Sequence, residues 1–479
     1  MAKLLTKSKY LRGLESAAYL WLSVHEPDSL PDPDLQTQDI FDQGHAVGEL
    51  AKSLFDGLDL DNMDFMENIN ETKKAIKQGK TIFEAGVMVD RLYARVDVLK
   101  KLSEGWELIE VKASTKAKPY HHVDLAFQKH VLEKIGLNVV KVSVVHINNE
   151  YVRKGDVEAD KLLNKTVVTE QVIEQQKGIS ERINTMLDII DLPTCPEFNP
   201  ANIPKSEYGN PLIDDFMENQ PANSVFNLFY GNSKISDLYD KDIEYIEDIP
   251  EDYNLTYKQS IQRDVYKNGD KHVQPEKIRD FLNSLQYPLL YLDFETMMNA
   301  VPLFDNSRPY QQIPFQYSLH IESLTGDITH KDFLYDKDKD PRVEFIERLR
   351  RDLPEKGSVV VWNARFEKMI LKDIASLYPM YIDFVNDVTN RIVDLWEPFR
   401  QYWYHHPKQA GSNSLKAVYP IFSINKYDDL EISNGGDASV LYKKKFGSLT
   451  SDEKKEFLAY CKLDTEAMIA IKDSLERAA

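Results

Sequence analysis

The spacing of hydrophobic and polar positions changes along the chain, and each change predicts a different kind of element. The N-terminal run MAKLLTKSKYLRGLESAAYLWLSV carries apolar residues at helical spacing and predicts an amphipathic helix. A Pro/Asp-rich loop from Pro27 to Pro33 follows, then a second helical pattern around Ile40 to Phe55. From Thr81 the period shortens toward two. Strands are predicted over Thr81 to Ala85, Leu92 to Leu99 and Trp106 to Ala113, the last two joined by the polar, Gly-ending hairpin connection Lys100 to Gly105. A helix carrying Asp124 to Gln128, a Val/Ile-rich strand from Asn138 to Ile147, and helices to about Leu192 complete a first domain, residues 1–192.

Residues 193–285 are rich in Pro, Asn, Tyr and acids, with short helical pieces such as Ser224 to Tyr230, and read as a connector. A second domain, residues 286–479, opens on the apolar strand Leu289 to Thr296. Two further strands, Ile313 to Ser323 and Ile328 to Tyr335, flank the turn Thr325-Gly326-Asp327. An amphipathic helix, Pro341 to Leu353, then leads to another buried strand, Ser358 to Asn363. Near the end, Phe457, Tyr460, Cys461, Asp464, Ala467, Met468 and Ile471 recur at helical spacing and form one core-facing stripe.

Acids interrupt these apolar patterns at places that call for chemistry. Asp293 and Glu295 lie two apart on a strand and therefore share a face. Ionised carboxylates are costly to bury unpaired, so two at the end of a core strand imply a cation or raised pKa values. Asp464 sits inside the apolar stripe of the last helix with Tyr460 one turn before it. In the first domain, alternation puts Arg95 and Asp97 on one strand face, and Glu110 and Lys112 on one face of the next. Two acids and a lysine converging across a hairpin suit a divalent cation and a phosphate under attack.

Composition narrows the class. With 479 residues, 42% of them hydrophobic and 29% charged, the chain is globular and long enough for two or three domains. A net charge of -19 argues against coating nucleic acid by charge alone, but metal-binding carboxylates are acidic by necessity. Cys195 and Cys461 are the only cysteines, which fits a reducing cytoplasm and excludes a four-cysteine metal site within one chain. Lys7, Lys9, Arg12 and Glu15 break up any signal-like core, and no stretch approaches a membrane span.

Asp97, the run Glu110-Val111-Lys112, and the following helix with Asp124 and Gln128 resemble the core of PD-(D/E)XK nucleases, more narrowly their RecB-like branch. The resemblance implies central roles for Asp97, Glu110 and Lys112, with Gln128 accessory on the substrate side. It implies a metal set of Asp97, Glu110, Glu84 and Glu49, with Glu49 at the place of a helical ligand that is normally His. Many RecB-like nucleases of this kind close their lobe with an iron-sulfur cluster held by one early and three late cysteines. Here the early region is Gly13 to Ala17 and Cys195 stands alone in the late one, so no iron-sulfur cluster is expected.

Asp293-Phe294-Glu295, Asn363-Ala364-Arg365-Phe366-Glu367 and Tyr460-Cys461-Lys462-Leu463-Asp464 resemble the three ordered motifs of DnaQ-like 3′-to-5′ exonucleases in their DEDDy branch. The second motif usually ends in Asp, and here it ends in Glu367. The three-strand, helix, strand, helix order is that of an RNase H-like sheet. By this resemblance Asp293, Glu295, Glu367 and Asp464 hold two Mg²⁺ or Mn²⁺ ions, and Tyr460 orients the attacking water. Asn363 and Arg365 hold the motif or the phosphate, and Asp394 is supportive. Ser414-Leu415-Lys416 resembles a helical segment that such enzymes carry before the third motif. The run Arg308 to Tyr317 resembles part of the signature of a bacterial family joining two such lobes, with Tyr310 stacking on a base and Gln316 contacting a strand.

The expected fold is therefore α/β: a PD-(D/E)XK-like mixed-sheet domain followed by an RNase H-like domain. The expected function is a Mg²⁺- or Mn²⁺-dependent nuclease that shortens single-stranded DNA or RNA ends 3′ to 5′. One or two ions would serve the N-terminal lobe, which either cleaves or grips the polymer. The alternative is a nucleic-acid-binding or assembly protein in which one or both lobes have lost chemistry. No membrane partner is expected.

Overall fold

The computed structural model describes residues 3–202, 209–423, 427, 430, 432 and 434–479. The chain is α/β with mixed sheets, divided into one compact unit formed by Met1–Phe216 with Asn299–Gln311 and another formed by Met217–Met298 with Gln312–Ala479. The stretch read as a connector is thus shared between the units, and the link Asn299–Gln311 belongs to the first. Among the described residues no helix is long and apolar enough to cross a membrane.

In the first unit the strands are β1 (Leu5–Thr6), β2 (Leu58–Asp59), β3 (Ile82–Val89), β4 (Leu92–Lys101), β5 (Trp106–Lys112), β6 (Val139–Ile147) and β7 (Leu163–Val167). They form one sheet in the order β2-β3-β4-β5-β6-β7, with β1 beside β4. Neighbours β3/β4, β4/β5 and β6/β7 run antiparallel, whereas β1/β4, β2/β3 and β5/β6 run parallel. Alternation sends Leu92, Ala94, Val96 and Leu108 into a core with Leu125 and Phe127 of the helix Pro119–Lys134. The alternation reverses between Val96 and Val98, so Val98, with Ile109 and Val145, enters a second core with Val47 and Ala51 of the helix Leu35–Lys52, while Leu99 stays in the first. The central strands β5 and β6 are largely buried on both faces, whereas β7 is buried only at Leu163.

The expected single N-terminal helix is two. Ser16 is extended, closes Lys7–Glu15 through its N–H to the Arg12 carbonyl, and caps Ala17–His25 by accepting from Tyr19 N. A serine competes well for cap positions, and the apolar spacing ran through it because both helices pack on the same core. The expected helical piece Ser224 to Tyr230 shrinks to a 3₁₀ turn at Val225–Asn227.

In the second unit β8 (His272–Val273) precedes β9 (Leu289–Met297), β10 (Ile313–Glu322), β11 (Ile328–Leu334), β12 (Val359–Val361), β13 (Ile392–Asp394) and β14 (Tyr404–His405). β8 and β14 make a small antiparallel pair, while the others form a sheet in the order β11-β10-β9-β12-β13. β9 to β11 are an antiparallel meander; β12 is parallel to both β9 and β13. Leu290, Leu292 and Phe294 of β9 pack with Phe345, Leu349, Ile370 and Ile374 from helices Arg342–Asp352 and Ala364–Leu377. The intervening residues, Asp293 and Glu295, face the other side, where helix Ser451–Ala478 packs. That helix is started by a reciprocal cap between Thr450 and Glu453.

Candidate functional site

The second unit gathers the acids that its sequence singled out. Cys461 on the last helix donates its thiol toward Asp293 Oδ2 at 3.6 Å. Asp293, Glu295 and Cys461 each offer a ligand atom, and these atoms lie within 4.8 Å of one another. Opposite Glu295 the β9/β10 register shifts between Pro314 and Gln316, a bulge beside the acids. Asp464, three residues beyond Cys461, accepts the Tyr427 hydroxyl at 2.5 Å and hydrogen-bonds Tyr460 as well.

Glu367 arrives from the strand-to-helix junction after β12. Asn363 there is left-handed, with φ of 78°, a conformation Asn tolerates better than most residues. Its N–H donates to Asp394 Oδ1 at 3.1 Å, and Asp394 also accepts from Trp396 N, so Asp394 shapes the turn. The following helix begins at Ala364 and buries Glu367 in its first turn, near Asp293. Glu367 Oε2 is buried with no hydrogen-bond partner among the described residues.

Burial, reinforced by like charge, dominates the electrostatics here. Desolvation and the Asp464 carboxylate push Asp293 well above the usual carboxylate range; desolvation with Asp293 and Asp464 does the same to Glu295. Burial and Asp293 raise Glu367 likewise. Asp464 is pushed up to about 6 by burial, against the pull of its tyrosine hydrogen bonds and of Lys416. Lys416 lies over the rings of Tyr460 and Tyr427 at 5.0 and 5.1 Å, and burial lowers its own pKa despite Asp464 and Glu295 nearby. Space is kept open by Gly435, where an added Cβ would stand 3.4 Å from Glu295 Oε2. An oxygen-rich acid set with an unpaired buried oxygen fits a hard divalent cation, and Asp293, Glu295, Glu367 and Asp464 are the residues that would hold it.

The first unit also brings its expected residues together. β4 pairs with β1 at Leu92 and Tyr93 and with β5 at Val98 to Lys101. Between those stretches β4 and β5 part, and Asp97 Oδ2 accepts the Val111 N–H at 2.7 Å. Glu110, almost fully buried, receives Lys112 Nζ at 2.7 Å, Gln128 Nε2 at 2.7 Å and Lys7 Nζ at 2.8 Å. Asp124 takes Gln128 Nε2 at 2.9 Å and Lys112 Nζ at 3.4 Å. Burial works against the Glu110 charge, yet Lys112, Lys7 and Gln128 outweigh it and hold the carboxyl below its usual range. Asp97 is pushed up to about 7 by burial and by Glu110.

Several expected residues sit elsewhere. Glu49 is exposed and paired with Lys52 at 2.6 Å, so it is not a ligand in the Glu110 cluster. Glu84, with φ of 55°, is bound by Arg95 Nε at 2.8 Å at the margin of the cluster. Gln128 is fully buried and serves Glu110 and Asp124, not a substrate. Gln316 is likewise fully buried and donates to the Phe457 carbonyl at 2.6 Å, which corrects the expectation that it contacts a nucleic-acid strand. Tyr310 packs half-buried in the first unit, its hydroxyl donating to the Ala113 carbonyl. Asp124 was legible as the residue one turn before Gln128 on the same helix face. Lys7, Tyr427 and Lys416 carried no comparable local signal of what they face.

A family model described as a domain of unknown function (DUF2779) matches residues 290–414, a stretch that includes Asp293, Glu295 and Glu367 but ends before Tyr460 and Asp464. An uncharacterized protein of Ureaplasma parvum serovar 3 is 26% identical over 245 residues, covering 45% of this chain and 35% of that protein. An uncharacterized protein of Mycoplasma genitalium is 26% identical over 243 residues, 46% of this chain and 36% of its own length. A homologue of that protein in Mycoplasma pneumoniae is 26% identical over 220 residues, 41% of this chain and 33% of its own. The chain thus spans about a third of the length of the curated relatives it matches.

Proposed function

We propose that the protein is a divalent-metal-dependent nuclease whose second unit is a DnaQ-like, RNase H-fold exonuclease of the DEDDy kind, shortening single-stranded DNA or RNA 3′ to 5′. The observation that carries the reading is that Glu295 and Asp464, both buried, and half-buried Asp293 bear on one another, with buried Glu367 beside Asp293, although they are drawn from three distant segments and desolvation raises their pKa values. Groups so placed are destabilising alone and become favourable when a cation is shared. The sheet order β11-β10-β9-β12-β13 supports the same reading.

Mg²⁺ or Mn²⁺ bound by these carboxylates would lower the pKa of a water and offset charge developing on a phosphodiester. The chain's own groups would do the positioning. Tyr460 and Tyr427 orient the Asp464 carboxylate, and Tyr460 offers its hydroxyl, kept protonated by burial and by Asp464, to the attacking water. Lys416 supplies a positive charge beside the acids. Asp394 fixes the turn that presents Glu367.

The first unit resembles a RecB-like PD-(D/E)XK lobe, and the Lys7 ammonium inside its carboxylate cluster favours a lobe that grips nucleic acid over a second cleaving centre. The test is hydrolysis of 5′-labelled single- and double-stranded DNA and RNA with Mg²⁺ or Mn²⁺. A ladder receding from the 3′ end, abolished in Asp293→Asn and Asp464→Asn, is expected. Undiminished cleavage in the double variant would sink the assignment.

A further inference from the structure

Lys7 occupies the centre of the first unit's acid cluster. Its Nζ lies 2.8 Å from Glu110 Oε1, 3.8 Å from Asp97 Oδ1 and 3.9 Å from Asp124 Oδ2. These three carboxylates come from β4, β5 and the helix Pro119–Lys134. Asp97 and Glu110 are groups that a PD-(D/E)XK-type lobe would turn toward a divalent cation, and Asp124 stands beside them.

The ammonium is not delivered by a loose chain end. Leu5 and Thr6 pair with Leu92 and Tyr93 of β4, the strand that carries Asp97. Thr6 then caps the helix that begins at Lys7, its hydroxyl accepting from Lys9 N. Backbone pairing and cap together fix the Lys7 Cα over the cluster. Lys112 adds a second ammonium, 2.7 Å from Glu110, and Gln128 donates to both Glu110 and Asp124. Two lysine charges and an amide therefore already serve the three carboxylates. A divalent ion entering among them would meet an ammonium at hydrogen-bonding distance from the ligand it most needs.

We propose that Lys7 is an intramolecular substitute for the metal of the first unit: its ammonium holds Asp97, Glu110 and Asp124 together and excludes divalent cations from them. This rests on the PD-(D/E)XK-like reading of that unit, but not on hydrolysis by the second. The full chain carrying Asp293→Asn and Asp464→Asn, which removes two of the four acids of the second unit's site, is titrated with Mn²⁺ while free Mn²⁺ is followed by electron paramagnetic resonance. With Lys7 intact, no Mn²⁺ binding that depends on Glu110 is expected. Adding Lys7→Met creates a Mn²⁺ site, and adding Glu110→Gln to that protein removes it again. Glu110-dependent Mn²⁺ binding with Lys7 in place overturns the proposal, an arm that needs no Lys7 variant to fold. A Lys7→Met protein that unfolds cooperatively yet takes up no Mn²⁺ overturns it as well. The nuclease reading fails separately, on substrate cleavage.

Discussion

The Cys461 thiol points at Asp293 Oδ2 across 3.6 Å, so the last helix sets a sulfur against the acid at the middle of the central strand. Burial first, then the Asp293 carboxylate, raises the thiol pKa well above its usual value. The thiol therefore stays protonated at neutral pH and donates to the carboxylate, and thiolate reagents should find it inert. Cys195 is exposed. Reaction with an aromatic disulfide is expected to titrate Cys195 in the native protein and Cys461 only after denaturation. In Cys195→Ser, rapid native labelling should vanish, and fast labelling that persists would contradict the burial of Cys461.

Stability of the metal-free second unit should fall as pH rises. A carboxyl with a raised folded pKa binds its proton more tightly in the native state, so its penalty is absent below the ordinary carboxylate pKa and complete above the folded one. For Asp464, moved from 3.8 to about 6, this amounts to roughly 3 kcal/mol by pH 7. Denaturant unfolding of Asp464→Asn beside wild type should show the two diverging between pH 4 and 7, with the variant the more stable at the upper end. Parallel curves would exclude the penalty.

In the first unit the sign reverses at Glu110. Its folded pKa lies below the usual range, so its contribution is present above that range and is lost as pH falls toward and through the folded value. Glu110→Gln leaves Lys7 and Lys112 without their closest carboxylate and should cost about 3–5 kcal/mol at neutral pH. Thermal unfolding of the first unit measures it, and a loss under ~1 kcal/mol would mean that the pairs are weaker than their burial implies.

Gln316 separates packing from substrate contact. Its amide bridges β10 to the Phe457 carbonyl in the last helix. Gln316→Ala is expected to lower stability by about 1–3 kcal/mol, the cost of an orphaned buried carbonyl plus a small void. If substrate met this side chain, KM for an oligonucleotide would rise; the expected outcome is a lowered melting temperature with KM unchanged in the folded protein.

Removing Asp293 should reduce hydrolysis by at least ~10²-fold, the scale associated with loss of a central electrostatic group. Because Lys7 fills the first unit's acid cluster, adding Lys112→Ala to Asp293→Asn should change nothing further. Residual cleavage that disappears only in the double variant would assign catalysis to the first unit.

Much of this architecture was legible before any tertiary contact was known. The period-two runs from Ile82 to Lys112 and the apolar strand Leu289–Met297 follow from side-chain alternation, although the faces reverse locally at Glu84 and between Val96 and Val98, which the pattern alone did not show. The stripe of the last helix was legible for the same kind of reason, and so was the anomaly of Asp464 within it. Helix boundaries were less secure, as Ser16 shows, because an apolar stripe can continue across a cap when both helices rest on one core.

By itself the sequence determined which residues share a face: Asp293 with Glu295, Glu110 with Lys112, Asp464 with Tyr460. Periodicity is local, so it reaches that far and stops. What stands opposite each face was decided by tertiary structure alone. Lys7 lies 103 residues from Glu110 and Cys461 lies 168 from Asp293, separations at which spacing carries no directional information. The same contacts turned Gln316 and Gln128 inward and drew Tyr310 into the first unit, since a buried polar side chain must find its partner wherever the fold provides one.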